Sequence, residues 1–402
     1  MINTKQAFEE LITTQWNAVN AWIDEEMAKY PVPIYSSVDI RESKDKFAPV
    51  DHNMYPAGFN NVCALDQDAC SSAFEKTINR LVPGAKSIAI LPESNTKNLF
   101  YLDHLAILGK IIRDSGLEVS FISFDETIFN GEEKLNLLSH SKFDIQIDKA
   151  QLSDGLIKTS DKNFDMIILN NDQSKLIEVD WSSVKTPVMP TPMIGWFKRQ
   201  KVRHFRFYKE VVDNFSKQFN IEPNLLMADF TCVDGVDFGS KEGLDKLAAA
   251  VDKVKSRIAN KDAKIFVKGS QGTYGMGIMV VDSGEEVINM NRKARNKMDV
   301  GKNSIKFTTL LVQEGVETMI KYDEMPAEVT IYLVDGKGLG GFMRANGEKD
   351  SQANLNSRGM VFKKYCISEI RENQDHKSKE AVYSVVARLA TLAAGYEIKE
   401  VL

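Results

Sequence analysis

The segment that most constrains this chain runs from Phe266 to Val281. An apolar strand delivers a lysine into a glycine-rich turn, and a second apolar run follows. The order is Phe266-Val267-Lys268, then glycines at 269, 272, 275 and 277, then Ile278-Met279-Val280-Val281. Glycine lets backbone N–H groups come close to phosphate oxygens, and a lysine adds a point charge. Other phosphate loops fail on spacing or order. The chain has no GxxxxGK[ST], no GxGxxG opening a helix, and neither the HRD nor the DFG sequence of protein kinases. A plain glycine-rich hairpin is the alternative, and this segment alone leaves it open.

Downstream, Val312-Gln313-Glu314-Gly315-Val316 reads as a strand running into a polar exit that could offer backbone groups to an adenine edge; an ordinary strand end has the same composition. Val329–Val334 and Gly340–Arg344 flank Asp335-Gly336-Lys337-Gly338, which suits a β-hairpin. Arg344 is followed by Asp350, Asn354, Asn356 and Arg358. Oxygen ligands of this kind suit Mg²⁺, and an arginine can stabilise a transferring phosphoryl group. A polar surface loop is the competing reading.

The rest of the chain alternates. Phe8, Leu11, Ile12, Trp16, Val19, Ile23 and Met27 form one helical stripe, stopped by Pro31 and Pro33. Residues 35–65 read as irregular, polar and aromatic. Strands are expected at 86–91, 117–124 and 164–170, with a helix at 99–114 between the first two. That alternation predicts a mostly parallel sheet. Further helices are expected at 201–218, 241–259 (N-capped by Ser240), 285–298 and 379–395. The expected fold class is α/β: an N-terminal α/β region to about residue 195, then an α+β nucleotide lobe over 196–402.

Two polar clusters stand out. Asp39, Arg41, Lys46, Asp51, Asn53, Asn60 and Asn61 crowd together, and Glu93, Lys97 and Asn98 follow a strand end. An arginine can clamp an α-carboxylate while carboxylates and amides accept from an α-ammonium, so an amino acid fits; helix and loop capping is the alternative. The basic helix with Lys198, Arg199, Lys201, Arg203, His204, Arg206 and Lys209 reads as a solvated face, with Lys201 a candidate phosphate contact. His52 and His104 read as structural.

Composition excludes several classes. A net charge of −5 speaks against nucleic acid as a partner. No apolar run reaches the roughly 20 residues that span a bilayer, and the first residues lead into an amphipathic helix instead of a signal sequence. Cys63, Cys70, Cys232 and Cys366 show no CxxC pairing and read as reduced thiols of a cytoplasmic protein, with no zinc site indicated.

The ordered features resemble an ATP-grasp lobe. More closely, Val267-Lys268 with Gly272-Thr273-Tyr274-Gly275-Met276-Gly277-Ile278-Met279, Val312-Gln313-Glu314-Gly315-Val316 and Asn354-Leu355-Asn356 with Gly359-Met360 resemble the proteobacterial glutamate–cysteine ligase family first known from acidophilic iron oxidisers. Ser37-Val38-Asp39-Ile40-Arg41, Asp51 with Asn53, Gly58-Phe59-Asn60-Asn61, Pro92-Glu93, Leu169-Asn170-Asn171-Asp172 and Gly195-Trp196 extend the resemblance over nearly the whole chain. It implies a Rossmann-like N-terminal region followed by an ATP-grasp-like lobe. The implied reaction is ATP- and Mg²⁺-dependent formation of γ-glutamylcysteine, the first step of glutathione synthesis.

By the match, Lys268 and Arg344 would be catalytic. Lys268, Gly272, Thr273, Tyr274, Gly275, Gln313, Glu314 and Val316 would hold ATP. Asp39, Arg41, Lys46, Asp51, Asn53, Asn60, Asn61, Glu93 and Lys97 would take the amino acids, and Asp350, Asn354 and Asn356 the metal. One departure stands against the metal set. Many ATP-grasp enzymes end on a strand pair carrying Asp and Glu-x-Asn, and here the last helix is followed directly by Leu402. A ligase with another amine acceptor, or a non-catalytic nucleotide- or amino-acid-binding regulator, would share much of this pattern.

Overall fold

Residues 35–53 form a β-hairpin, not the irregular stretch expected: β1 (Tyr35–Glu42) and β2 (Phe47–Asn53). In β1 the side chains alternate. Ser37, Asp39 and Arg41 fall on one face, and Val38 and Ile40 on the other. Charged residues on the first face hide the strand from a hydrophobicity reading. Both faces of β1 are buried, because one packs on helices and the other floors a cleft.

The computed structural model describes residues 1–174, 176–271, 277–299, 309–368 and 377–402. The chain opens with α1 (Lys5–Thr14) and α2 (Trp16–Met27), broken at Gln15. Thr13 and Thr14 donate their hydroxyls back to Glu9 and Glu10 carbonyls at this break, a bond that competes with a straight helix. After the hairpin come α3 (Ala64–Leu81), β3 (Ser87–Pro92), α4 (Leu99–Arg113), β4 (Glu118–Ser123), β5 (Lys134–Leu138), β6 (Asp144–Lys149), β7 (Gln151–Ser153), β8 (Leu156–Lys158), β9 (Met166–Asn170) and β10 (Val188–Met189). Strands β10-β9-β3-β4-β6-β5 form one sheet, parallel except for its β5 edge, so the predicted parallel sheet is present. Its central strands β3 and β9 read as continuous apolar runs because both faces are covered.

The second half holds α5 (Lys201–Phe219), β11 (Phe230–Asp234), α6 (Lys241–Arg257), β12 (Ile265–Gly269), β13 (Ile278–Val281), α7 (Gly284–Ile288), α8 (Arg292–Asp299), β14 (Thr309–Glu314), β15 (Lys321–Tyr322), β16 (Met325–Val334), β17 (Lys337–Ala345), β18 (Val361–Lys364) and α9 (Lys377–Lys399). The expected helix over 285–298 is thus two helices. Strands β11-β14-β12-β13 make an antiparallel sheet backed by α6. The third sheet, β18-β17-β16-β1-β2, is also antiparallel. Tyr35 pairs with Val334 and Ile40 with Val329, so the N-terminal hairpin crosses the 195/196 division and completes a sheet of the C-terminal half.

Helix α9 is buried nearly all round, as expected of a core helix. Its Val382, Val386, Leu389 and Ala393 share one core with Val38, Ile40, Val329 and Ile331 on the back of the third sheet, and with residues of α1, α2 and α5. The thiol expectation needs correction. Cys63 and Cys366 form a disulfide with Cα atoms 5.6 Å apart, while Cys70 and Cys232 are free. The pairing was not readable because 303 positions separate the two residues. Fold alone brings the start of α3 against the exit of β18. No helix among the described residues is long and apolar enough to cross a membrane.

Candidate active site

Strand alternation builds the site. The front of the third sheet presents Ser37, Asp39 and Arg41 from β1, Asp51 and Asn53 from β2, Glu328, Thr330 and Tyr332 from β16, and Phe342 and Arg344 from β17. Facing them are Phe266 and Lys268 of β12 and Gln313 of β14, whose neighbours Ile265, Val267 and Val312 pack on the α6 side. Between the two sheets lies a cavity of about 880 Å³. The parallel sheet closes its far end with Glu93, Asn98, Tyr101 and His104, beside Asn60 and Asn61.

Charges on the floor are densely paired. Arg344 Nη1 donates to Asp39 Oδ2 at 2.9 Å and Glu328 Oε1 at 2.6 Å. Arg41 Nε donates to Glu328 Oε2 at 2.8 Å, and its remaining nitrogens reach the carbonyls of Val316 and Ala353. Thr330 donates to Asp39 Oδ1 at 2.7 Å. Burial, only partly opposed by Arg344, raises the Asp39 carboxyl above its ordinary range. Burial would raise Glu328 as well, but Arg41 and Arg344 outweigh it and hold that carboxyl below.

Besides Arg41, three cations lie along the same cleft. Lys268 Nζ donates to Gln313 Oε1 at 2.8 Å and Val50 O at 2.9 Å, and burial pushes its ammonium down to about 8. Lys201 pairs with Asp51 and sits 5.0 Å from the Trp196 ring centroid. For Asp51 burial is outweighed by Lys201 and Lys268, which hold it below the usual range. Arg344 is the third. Two buried donors on the cleft, Gln313 Nε2 and Arg344 Nε, have no partner among the described residues.

A buried network lies behind the floor, beside Lys201. Glu397 of α9 takes Arg199 Nε and Nη2 at 3.0 Å each and lies 2.6 Å from His204 Nδ1. Arg199 Nη1 then donates to His52 O at 2.8 Å. The basic-helix reading is therefore corrected for Arg199, Lys201 and His204, which are buried. His104 is structural: Phe59 N–H donates to its Nδ1, its Nε2 lies 2.9 Å from Asn170 Oδ1, and burial pushes its pKa down to about 4.

The structure gathers most of the sequence-derived set. Asp39, Arg41, Asp51, Asn53, Asn60, Asn61, Glu93, Lys268, Gln313, Glu314, Val316, Arg344, Asn354 and Asn356 all line the cleft. Lys46 sits behind it, its Nζ 2.7 Å from Glu314 Oε2. Lys97 and Asp350 are exposed and off the lining, and Asp350 Oδ1 accepts from Gln352 N–H. Gly272, Thr273, Tyr274 and Gly275 lie outside the described residues. Sequence reasoning missed Glu328 and Thr330, although alternation along Val329–Val334 could have put them opposite the apolar face.

A family model described as glutamate-cysteine ligase matches residues 9–398. This chain belongs to the glutamate–cysteine ligase family. The ligase joins glutamate to cysteine in an ATP-dependent reaction of glutathione biosynthesis. Among solved structures it is similar to a candidate gamma-glutamylcysteine synthetase from Methylobacillus flagellatus KT. The two share 31% identity over 98% of the ligase and 96% of that chain, with a TM-score of 0.89. A glutathione synthetase-like effector from Globodera pallida, in its apo form, matches at 10% identity over 87% and 81% of the two chains, with a TM-score of 0.42. No curated protein matches the ligase.

Proposed function

We propose that the cleft is an ATP-grasp-like site in which ATP lies between the two antiparallel sheets and the amino acids enter from the parallel-sheet end. The observation that carries this reading is the convergence of Lys201, Lys268 and Arg344 on one cavity between those sheets. Residues 196–402 bring the nucleotide machinery. Residues 1–195 bring the amino-acid end and, through β1 and β2, half of the floor.

In this reading the glutamate γ-carboxylate attacks the γ-phosphorus of ATP, the bond to the β–γ bridging oxygen breaks, and ADP leaves. The cysteine amine then attacks the acyl carbon of γ-glutamyl phosphate, phosphate departs and the amine loses a proton. Lys268 and Lys201 neutralise phosphoryl charge, and Arg344 orients the acyl group. Gln313 offers its unpartnered amide N–H to the nucleotide. Positioning and charge neutralisation supply most of the catalysis in phosphoryl transfer.

Asp39 and Asp51 are direct cross-strand partners, and Asn53 follows on the same face of β2. Asp51 and Asn53 are hard oxygen donors that fit Mg²⁺ better than the exposed Asp350 does, whereas Asn354 Oδ1 is engaged by Asn356 N–H and the two oxygens of Asp39 by Thr330 and Arg344. Asp51 and Asn53 would hold the ion, which when bound offsets charge on phosphate oxygens. Use of ATP supports a cytoplasmic location.

The test is ADP release by purified ligase with ATP, Mg²⁺ and glutamate, with and without cysteine, other amino acids being screened in parallel. Cysteine-dependent release with a γ-glutamyl product is expected. Turnover with a different amine would replace the acceptor, and no turnover with any pair would favour a binding protein.

A further inference from the structure

We infer that Phe362, with Phe342 and Met360, forms the pocket that selects the side chain of the amine acceptor. This rests on the reading above that the amino acids occupy the end of the cleft away from the nucleotide sheet.

The floor changes character across its strands. One cross-strand row runs Asp51, Asp39, Thr330, Phe342 and ends on Lys364, and the next runs Glu328, Arg344, Phe362. Partners in a row share a face, so carboxylates on β2 and β1 give way to the rings of Phe342 on β17 and Phe362 on β18. Lys268 reaches the floor at Val50, on the β2 side. The order β18-β17-β16-β1-β2 puts the aromatic rings at the opposite edge. With strands about 4.8 Å apart, Phe362 stands one spacing from Arg344 and roughly 15 Å from Asp39's strand. An acyl group held at Arg344 therefore has the aromatic edge about 5 Å away, the reach of a small amino-acid side chain beyond its attacking amine.

Phe342 belongs to the core, but Phe362 does not. Phe362 is 41% exposed and Met360 37% exposed, and both line the cleft. Phe362 meets the buried Phe342 edge to face at 5.2 Å, which fixes its plane. Tyr332 donates its hydroxyl to Ala57 O, which holds the loop carrying Asn60 and Asn61 beside this edge. Gly58 turns that loop at φ +99°, and a Cβ there would meet Tyr332 Oη at 2.8 Å.

The chemistry of this wall favours a thiol. Sulfur makes favourable contacts with aromatic rings, whereas a hydroxyl on such a wall gives up water and gains no partner. Cysteine and serine differ at this one atom, so the pocket discriminates between them, while Asn60 and Asn61 supply polar groups for the shared α-amino acid head.

The experiment is steady-state ADP release by the full-length ligase with ATP, Mg²⁺ and glutamate, using cysteine, serine or alanine as acceptor. Wild type is expected to prefer cysteine over serine in kcat/KM on the order of 100-fold. Phe362→Ala should lower that ratio to about 10-fold and raise KM for cysteine about 10-fold, leaving KM for glutamate and ATP unchanged. Phe362→Leu should recover part of the preference. Because Phe362 is half-exposed, its truncation leaves no core cavity, and an unchanged melting curve checks this. A raised KM for glutamate instead, or an unchanged cysteine-to-serine ratio, overturns the inference alone. A wild-type ligase with no acceptor-dependent ADP release overturns both the functional reading and this one.

Discussion

Arg344 lies between Asp39 and Glu328, one guanidinium nitrogen serving both carboxylates at 2.9 and 2.6 Å. Both carboxylates are buried, so removing the arginine leaves Asp39 out of water with only the Thr330 hydroxyl and leaves Glu328 with Arg41 alone. Arg344→Met should cost about 3–5 kcal/mol in urea unfolding and abolish turnover. A variant as stable as wild type would show that the pair is relieved by solvent and that the triad is not buried in solution.

Lys268 should matter to the reaction more than to the fold. Lys268→Ala is expected to cut kcat/KM for ATP by about 100-fold or more. Its melting temperature should stay close to wild type, because burial already disfavours the ammonium and lowers its pKa. Near-normal turnover in the folded variant would remove Lys268 from the phosphate site.

Substitutions on the two sides of the floor separate the metal assignments. Asp51→Asn and Asn53→Ala should raise the Mg²⁺ concentration needed for half-maximal rate by about 10-fold or more. Asp350→Asn, on an exposed loop, should leave the Mg²⁺ titration unchanged. The opposite pattern would return the metal to the loop after β17.

Glu397 ties stability to pH. Burial would raise its carboxyl, but Arg199 and His204 outweigh that and hold it at about 2, against an ordinary value of 4.5. A depressed carboxylate stabilises the fold above the unfolded value and loses that contribution as pH falls towards the folded one. Glu397→Gln should therefore be about 3 kcal/mol less stable than wild type at pH 7. The gap should narrow between pH 4.5 and about 2. A gap constant across that window would mean the carboxylate titrates normally.

Local pattern carried much of the fold. The strands β3, β4, β9, β12 and β13 fall within a few positions of expectation because each is a short apolar run between turn residues. The site residues with unusual context, Lys268 and the Gln313 exit, were legible for the same reason. What escaped depends on contacts distant in sequence. Strand β1 has its charges on one face, so its period-2 pattern looked irregular. Its partner β16 lies nearly 300 residues away, and that pairing brings Glu328 and Thr330 onto the same floor as Asp39. Lys201 and Arg199 looked solvated because Asp51 and Glu397, which bury them, arrive from opposite ends of the chain.

The pairing of β1 with β16 has a consequence for biosynthesis. The hairpin leaves the ribosome early with one apolar face and one charged face, and its neighbour in the sheet is made only after most of the chain. Until then neither face has its partner, and such long-range pairings form slowly and leave sticky edges. Helix α9, which covers the back of that sheet, is made later still. The cleft therefore comes into being only after β16 and β17 are made, and a chain terminated before them carries the β1–β2 half of the floor without assembling the site.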